Sequence, residues 1–304
     1  MLLLVQLLLW STWMERHNNG FLYVGSLSKV YYDAAVMSGE SIKDYWPEAN
    51  LTLFTHKDWV DDRARNVFQN IVTDIPVHCR AKLWALDQTP YNKTVYMDAD
   101  TYCESEKIKD IFDELPDDYD MVMTENRPYN AKVVYFTNER ELRHWQSPDK
   151  EMIWENGEEN GTPRYAVHKW DRTANNGVYR MRWHCGMFIY NNKPHTLKML
   201  NMWYQNYRKQ IENKKTWEQH FNYPKSLWFW DTFAFWRTNY EVNYEVKIKE
   251  IHPKWNFVRG YRDWEKDDDG SVMFHYTIPN ELVDKETFDD PDIRNTIGDF
   301  KILK

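Results

Sequence analysis

The feature that most constrains the fold is a regular alternation of strand-like and helix-like segments. Apolar residues at helical spacing mark four helices, at residues 30–46, 58–71, 80–88 and 106–115. Apolar runs rich in β-branched and aromatic residues mark four strands, at residues 20–26, 51–56, 93–98 and 119–124. Strands that alternate with helices predict βαβ units around a mostly parallel sheet. The predicted fold class is therefore α/β with a mostly parallel central sheet.

The second half of the chain contains the same kinds of segment after a long irregular stretch. Residues 126–182 are rich in Asn, Glu, Pro and Gly and have weak periodicity, so we expect an insertion near the functional site. A strand pattern follows at 184–192, and helical patterns follow at 196–212 and 227–240. The last strand and loop segments indicate that the domain ends near residue 280.

Two short flanks border this single domain, which we place at residues 14–280. Residues 1–13 form an apolar extension that is shorter than the roughly 20 residues of a membrane span, so no transmembrane span is predicted. No Lys or Arg precedes its apolar run, as one would in a signal peptide. Residues 281–304 are polar and are predicted to be a C-terminal tail.

Charge and cysteine content indicate which binding partners and which cellular compartment to expect for the protein. The chain has 47 acidic and 39 basic residues and a net charge of -8. This balance disfavours nucleic acid as a partner, because phosphate contacts need clustered Lys and Arg. Cys79, Cys103 and Cys185 are widely spaced and indicate neither a disulfide framework nor a zinc site. We expect a reducing, cytoplasmic location, although the apolar N-terminus leaves membrane association or secretion open.

Asp98 and Asp100 follow the predicted strand at 93–98 directly. Residues i and i+2 of an extended chain point to the same side, so both carboxylates can face one ion. Oxygen ligands suit Mg²⁺ or Mn²⁺, which usually also bind substrate phosphates. An Asp-rich strand end can equally serve to cap a turn. Ligands of α/β sheets bind beyond the carboxyl ends of the strands, which is where this pair lies.

The surroundings of the pair resemble the donor-site segment of family 8 glycosyltransferases. In "KLWALDQTPYNKTVYMDADTYCE", Lys82, a Trp- and Leu-containing helical turn and Tyr91 precede a strand that ends in Asp-Ala-Asp-Thr. Other blocks follow in the family's order: "VYYDAAVMSGESIK", "WHCGMFIYN", "WDTFAF", "KWNF" and "VMFHYT". The resemblance runs in patches from Phe21 to Thr277 and is weak over 126–182. It implies a GT-A type fold, a single Rossmann-like domain whose excursion at 126–182 lies on the acceptor side.

The resemblance also implies a role for particular residues. It places Asp98, Asp100 and His275 in a site for Mn²⁺ or Mg²⁺, and it makes Asp231 and Lys82 the catalytic candidates. The residues that it places against the nucleotide-sugar are Tyr31, Lys82, Asp98, Asp100, His184 and Gly186. Each single residue keeps a plainer alternative: His275 as a core histidine, Lys82 on a solvated helix face, Asp231 as a hydrogen-bonded buried carboxylate.

Departures from the family pattern concern the donor. His184 stands where the family has Asn, and Thr232 stands where it has Gln. The family's Gly-x-x-Lys-Pro-Trp after its His is missing, so Lys254, Arg259 or Arg262 would have to supply the charge that its Lys gives to the diphosphate.

The sequence therefore predicts a metal-dependent glycosyltransferase that moves a sugar from a nucleotide-diphosphate sugar, expected to be UDP-linked, to a glycan or other hydroxyl acceptor, and the family resemblance implies that transfer proceeds with retention. Two alternatives remain open. A sugar nucleotidyltransferase would need a Gly-rich, Arg-containing loop after the first strand, and "GSLSKVYY" has one Gly and no Arg. A non-catalytic carbohydrate-binding protein on a decayed transferase fold would bind sugar without turnover.

Overall fold

The structure is a computed structural model that describes residues 17–78, 80–125, 183–212, 231–242, 245–258, 270–276 and 301–302. The strands, in chain order, are β1 (His17–Gly25), β2 (Leu51–Thr55), β3 (Asn70–Val72), β4 (Pro76–Val77), β5 (Tyr91–Met97), β6 (Thr101–Cys103), β7 (Met121–Glu125), β8 (Trp183–Asn191), β9 (Ile248–Ile251), β10 (Phe257–Val258), β11 (Met273–His275) and β12 (Lys301–Ile302). The α-helices are α1 (Lys29–Tyr45), α2 (Asp62–Val67), α3 (Lys82–Ala85), α4 (Pro194–Glu212) and α5 (Asp231–Glu241). The 3₁₀ helices are Lys57–Trp59, Leu86–Gln88, Glu106–Glu114 and Pro253–Asn256.

Seven strands form the central sheet, in the order β3-β2-β1-β5-β8-β7-β9. Strands β3, β2, β1 and β5 are mutually parallel, and β7 is parallel to β9. Strand β8 alone is antiparallel to both of its neighbours, β5 and β7. The predicted α/β fold with a mostly parallel sheet is confirmed. Because β8 runs the other way, its first residues lie at the same edge of the sheet as the carboxyl ends of β5 and β7.

A second, three-stranded sheet has the order β10-β11-β6 and lies against that edge. Its register pairs His275 of β11 with Thr101 of β6. Since Thr101 directly follows Asp100 in the chain, this pairing places His275 beside the Asp98–Asp100 turn. Among the described strands, β12 pairs with β4, where Ile302 lies opposite Pro76.

Two hydrophobic clusters cover the two faces of the central sheet. Side chains alternate along β1, so Phe21 and Tyr23 enter one cluster and Leu22 enters the other. The first cluster also contains Ile42 of α1, and the second contains Trp203 of α4. The sheet is therefore buried between helices on both faces. This packing holds the strands, and with them the residues at their carboxyl ends, in fixed positions.

One predicted helix, at 58–71, is wrong in its second part. Asp61 caps α2 by accepting a hydrogen bond from the Ala64 N–H (2.9 Å), and α2 ends at Val67 because Phe68 takes an extended backbone (φ -102°, ψ 125°). Ile71 then pairs with Leu53 at the edge of the sheet. A sheet partner that is distant in sequence outweighed the local helical pattern. The helix predicted at 106–115 is a 3₁₀ helix.

Some expectations lie outside the described residues: the N-terminal extension at 1–13, the insertion at 126–182 and residues 281–300 of the tail. Among the described helices, none combines the length and the apolar character needed to cross a membrane.

Candidate active site

Asp98, Asp100 and His275 form a cluster at the carboxyl end of β5. One potential ligand atom from each lies within 4.8 Å of the other two, and His275 Nε2 is 3.2 Å from Asp100 Oδ1. The turn between β5 and β6 holds both carboxylates, with Thr101 Oγ1 donating to the Asp98 carbonyl (2.9 Å). The structure thus brings together the three residues that the sequence analysis assigned to a metal.

Lys82 lies beneath this cluster and is buried, with 5% of its surface exposed. Its Nζ donates to Asp98 Oδ1 (3.1 Å) and to the Cys185 carbonyl (2.8 Å), and it lies 2.8 Å from Asp231 Oδ2. Asp231, the first residue of α5, is also 3.7 Å from Arg80 Nε. Lys82 is therefore not on a solvated helix face, and its ammonium bridges two carboxylates from different parts of the chain.

The charges in this network stabilise one another. Burial alone would lower the pKa of Lys82, but Asp231 and Asp98 reverse the effect and raise it. Burial alone would raise the pKa of Asp231, but Lys82 and Arg80 lower it. Both groups are consequently charged at neutral pH. With Asp100 included, the site holds three carboxylates and only two side-chain cations, so its net charge is negative. A bound divalent cation would make the net charge positive.

One carboxylate oxygen of Asp98 is hydrogen-bonded to neighbouring side chains, and the other is directed toward the cluster. Its Oδ1 accepts from the Tyr96 hydroxyl (2.6 Å) and from Lys82. Its Oδ2 faces Gly186, where an added Cβ would lie 2.9 Å from it, 2.4 Å from Cε1 of His275 and 2.6 Å from Cε1 of His184. Only glycine leaves room there for both imidazole rings and the carboxylate. The residue at 186 thus keeps the space above Oδ2 open.

His184 is not one of the clustered ligands, although it lies next to them. Its ring packs edge-on against the His275 ring, with centroids 5.3 Å apart. Its Nδ1 accepts from the Gly186 N–H (3.1 Å) and lies 2.9 Å from Asn256 Nδ2. Burial, with His275 nearby, lowers the pKa of His184 to about 3, so the ring is neutral at physiological pH.

His275 is held by two contacts on opposite sides of its ring. Its Nδ1 lies 2.9 Å from Asn256 Oδ1, while Nε2 faces Asp100. Burial would lower the pKa of His275, but the carboxylates of Asp100 and Asp98 raise it. The ring is therefore oriented with Nε2 toward the two acidic residues.

Tyr31, a predicted donor-site residue, belongs to α1. It lies in the first turn of α1, where its N–H donates to the Ser28 carbonyl (3.0 Å), and it packs half-buried against the core cluster that contains Ala99. Arg259 and Arg262, considered for the diphosphate, lie outside the described residues, and Lys254 is 5.8 Å from the Trp255 ring centroid.

Three residues of the site were not among the predicted site residues. Arg80 precedes Lys82 by two residues, and Tyr96 precedes Asp98 by two residues. A search for polar side chains two positions before these predicted site residues would have found both. Asn256 lies in "KWNF", a block noted for its Asn, but its contacts depend on the start of β8 and the end of β11 meeting at the sheet edge. No local pattern predicts that meeting.

The three clustered residues fit a hard divalent cation. Two carboxylates and one imidazole are a donor set that Mn²⁺ or Mg²⁺ accepts, and neither thiol of the described cysteines, Cys103 and Cys185, is among them. Gly186 leaves an open space beside Asp98 Oδ2 and His275 that a Cβ would otherwise fill.

Comparison with solved structures gives the fold. The glycosyltransferase GlyE of Streptococcus pneumoniae superposes on 87% of this chain, using 56% of its own length, with 11% sequence identity and a TM-score of 0.50. The chain has the GT-A fold. The bifunctional glycosyltransferase WbbM matches 92% of this chain and 50% of its own, with 12% identity and a TM-score of 0.48. The galactosyltransferase LgtC, solved with donor and acceptor sugar analogs, matches 86% of this chain and 87% of its own, with 10% identity and a TM-score of 0.44.

At these identities the similarity concerns the fold of the chain. No protein-family model and no curated protein matches the sequence. Within the GT-A fold, the acidic cluster lies at the carboxyl edge of the parallel strands, where α/β sheets bind their ligands.

Proposed function

We propose that the protein is a metal-dependent glycosyltransferase that transfers a hexosyl group from a UDP-linked sugar to a glycan or other hydroxyl acceptor, with retention of configuration. The observation that carries the proposal is the convergence of Asp98, Asp100 and His275 at the carboxyl edge of a GT-A sheet. The UDP-linked donor and the retention are supported by the sequence resemblance described above.

Asp98 Oδ2, Asp100 and His275 Nε2 would hold Mn²⁺ or Mg²⁺. Such a cation neutralises the charge that develops on a leaving diphosphate, without any proton transfer. The other site residues position the groups around the cation and the substrate, or set the electrostatic potential of the site. Gly186 keeps the space beside Asp98 open, and Tyr31 and His184 remain proposed contacts of the nucleotide-sugar.

Lys82 acts in this proposal mainly through the residues it holds. Its ammonium contacts Asp98, Asp231 and the Cys185 carbonyl, so it fixes the angle at which Asp98 presents Oδ2. Its fixed positive charge also lies next to the place where the leaving group becomes negative, and a preorganised charge there lowers the barrier. Loss of Lys82 would therefore disturb both the metal and the electrostatic potential.

Asp231 is proposed as the carboxylate on the sugar side of the site. Its negative charge is held by Lys82 and Arg80, and a fixed carboxylate can stabilise positive charge at an anomeric carbon. Asp231→Asn would keep the shape and remove that charge, and we expect kcat to fall about 10²-fold or more.

The decisive experiment is a screen of UDP- and GDP-sugars for hydrolysis or transfer with Mn²⁺, with Mg²⁺ and with excess EDTA. We expect turnover of a UDP-sugar that depends on the cation. Asp100→Asn should abolish turnover and leave the circular dichroism spectrum and thermal unfolding intact, because Asp100 is a partly exposed ligand rather than a core residue. Full activity in EDTA would disprove the metal site, and sugar binding without turnover would favour the non-catalytic alternative.

A further inference from the structure

The hydrogen bonds around the two histidines can be assigned from a single unambiguous donor. The backbone N–H of Gly186 donates to His184 Nδ1 at 3.1 Å, and a backbone amide cannot accept. His184 Nδ1 must therefore carry a lone pair. A neutral imidazole with a bare Nδ1 carries its proton on Nε2.

This assignment fixes the orientation of the Asn256 amide. The side-chain atom of Asn256 that faces His184 Nδ1, at 2.9 Å, has to be the donor, which is Nδ2. The same Nδ2 donates to Thr124 Oγ1 at 3.1 Å. The carbonyl oxygen of the amide must then face the other way, and Oδ1 lies 2.9 Å from His275 Nδ1.

The orientation of the amide in turn fixes His275. An amide oxygen only accepts, so Nδ1 of His275 carries the proton. In the neutral ring Nε2 is then bare, and Nε2 is the atom that faces Asp100 at 3.2 Å. A bare ring nitrogen is the form of imidazole that binds a metal ion. Asn256 thus selects the form of His275 that can act as a ligand.

The two rings consequently present a hydrogen-bond acceptor and a hydrogen-bond donor to the same space. Their centroids are 5.3 Å apart with the planes nearly perpendicular (89°), and both Cε1 atoms border the space that Gly186 leaves open beside Asp98 Oδ2. His275 directs a lone pair toward the carboxylates. His184, which is partly exposed, retains an N–H on Nε2, since both hydrogen bonds that its ring makes with the described residues go to Nδ1.

We propose that Asn256 is a positioning residue that holds His275 and His184 in complementary neutral tautomers, with Nε2 of His275 bare for a divalent cation and Nε2–H of His184 available to an oxygen of the bound substrate. The inference deepens the proposed function and rests on it for the identity of that substrate. Asn256 is 1% exposed and has no direct access to the cation, so it acts through the rings. Partners of this kind around metal ligands contribute about 10- to 100-fold in metal affinity.

The test begins with wild-type protein saturated with Mg²⁺, a diamagnetic cation that would take the side of His275 Nε2 where Asp100 otherwise favours a proton. Long-range ¹H–¹⁵N correlation spectra of the histidine rings distinguish a bare from a protonated nitrogen. We expect His184 to be protonated on Nε2 and His275 on Nδ1. A wild-type spectrum with the proton of His275 on Nε2 overturns the proposal, whatever activity the protein has.

Three variants then separate positioning from general stability. Asn256→Ala should release the His275 tautomer and lower the affinity for Mn²⁺ by about 10- to 100-fold in calorimetry. Asn256→Asp keeps an oxygen toward His275 Nδ1 and should preserve that tautomer, while the Nδ1 of His184 loses its side-chain donor. Asn206→Ala is the matched control, because Asn206 is also buried and donates to Thr238 Oγ1 (2.9 Å) and Glu241 Oε2 (2.7 Å) but contacts neither histidine.

The result for each variant either supports or overturns the proposal. Mn²⁺ affinity that falls equally in Asn206→Ala and Asn256→Ala shows a structural effect only and overturns the positioning role. A protein with the expected tautomers and Mn²⁺ response but no transferase activity would refute the proposed function and leave the role of Asn256 standing.

Discussion

At the scale of single residues, the feature that organises the site is the ammonium group of Lys82. It is buried and has three oxygen partners, of which Asp98 and Asp231 are charged. A buried charge network of this kind is strongly coupled, because removing one member leaves the others without compensation in a poorly solvated place. The surface pair Lys29–Asp33, 2.6 Å apart and half-exposed on both sides, has no such coupling.

We expect Lys82→Met to lower the free energy of unfolding by about 3–5 kcal/mol, the usual effect of breaking a buried ion pair from one side. Lys29→Met, the matched control, should lower it by no more than about 1 kcal/mol, since solvent screens its pair. Both values can be measured by urea unfolding followed by tryptophan fluorescence.

The double variant Lys82→Met/Asp231→Asn provides the check on the cause. It should recover part of the loss, because Asp231 is then no longer an uncompensated buried charge. Equal destabilisation by Lys82→Met and Lys29→Met would show that the network contributes no special stability.

At the scale of secondary-structure elements, Asp120 joins four of them at the opposite edge of the sheet. It precedes β7 and accepts from Asn191 of β8 (3.2 Å), from Lys193 before α4 (2.9 Å) and from the Lys247 N–H before β9 (3.0 Å). His195 Nε2 of α4 lies 3.1 Å from the same carboxylate. This junction sets the position of the strands whose other ends carry the site.

Stability at acidic pH should depend on Asp120. Burial would raise the pKa of its carboxyl, but the hydrogen bonds from Lys247, Lys193, Asn191 and His195 lower it from 3.8 to about 2. A carboxyl with a lowered pKa stabilises the fold above its unfolded-state pKa, and that contribution is lost as the pH falls toward the folded-state value. The loss between these two pH values amounts to about 2 kcal/mol.

Urea unfolding of wild-type protein across this acidic range should show the corresponding slope, and Asp120→Asn should lack it. Asp117→Asn is the control, because the Asp117 side chain is fully exposed and its substitution should leave the slope unchanged. An identical slope in wild-type protein and Asp120→Asn would contradict the assignment.

At the scale of the whole molecule, strand direction gathers the site. The carboxyl ends of β5, β7 and β9 and the amino end of β8 meet at one edge, and the three-stranded sheet adds β11 there. Residues from several separate parts of the chain thus surround one space, and each lies in a regular helix or strand or within a few residues of one. The arrangement gives a rigid site on a buried scaffold.

The electrostatics of this site bear on the stereochemistry of transfer. An inverting enzyme needs a general base at the acceptor hydroxyl, and a useful base has a pKa near the working pH. The pKa of Asp231 is lowered by Lys82 and Arg80, after their charges overcome the opposing effect of burial, so its carboxylate is a weak base. We therefore expect Asp231 not to serve as such a base, which agrees with the retention that the family resemblance implies.

NMR of the first-formed product from an α-linked donor should show an α-glycoside. A β-glycoside would overturn the retaining assignment and leave the metal site unaffected. The measurement should be made at early times, before any slow anomeric change in hydrolysis products confuses the two outcomes.

The sequence by itself determined those features that depend on neighbours along the chain. The alternating segments indicate the α/β class because periodicity of side chains is a local property. The two-residue spacing of Asp98 and Asp100 places both carboxylates on one side of the chain end for the same reason. The helix predicted at 58–71 shows the limit of such rules, since β3 exists only because Ile71 meets Leu53 across the sheet.

Only the tertiary structure decided which distant groups meet. His275 reaches Asp100 through the register of β11 against β6, and Lys82 reaches Asp231 through the packing of α5 below the sheet edge. The Asn256 amide contacts both imidazoles because three strand ends converge on it. Contacts of this kind depend on the directions and registers of whole strands, and a hydrogen bond requires its two atoms to be placed to within a few tenths of an ångström. Patterns along the chain carry no information at that precision.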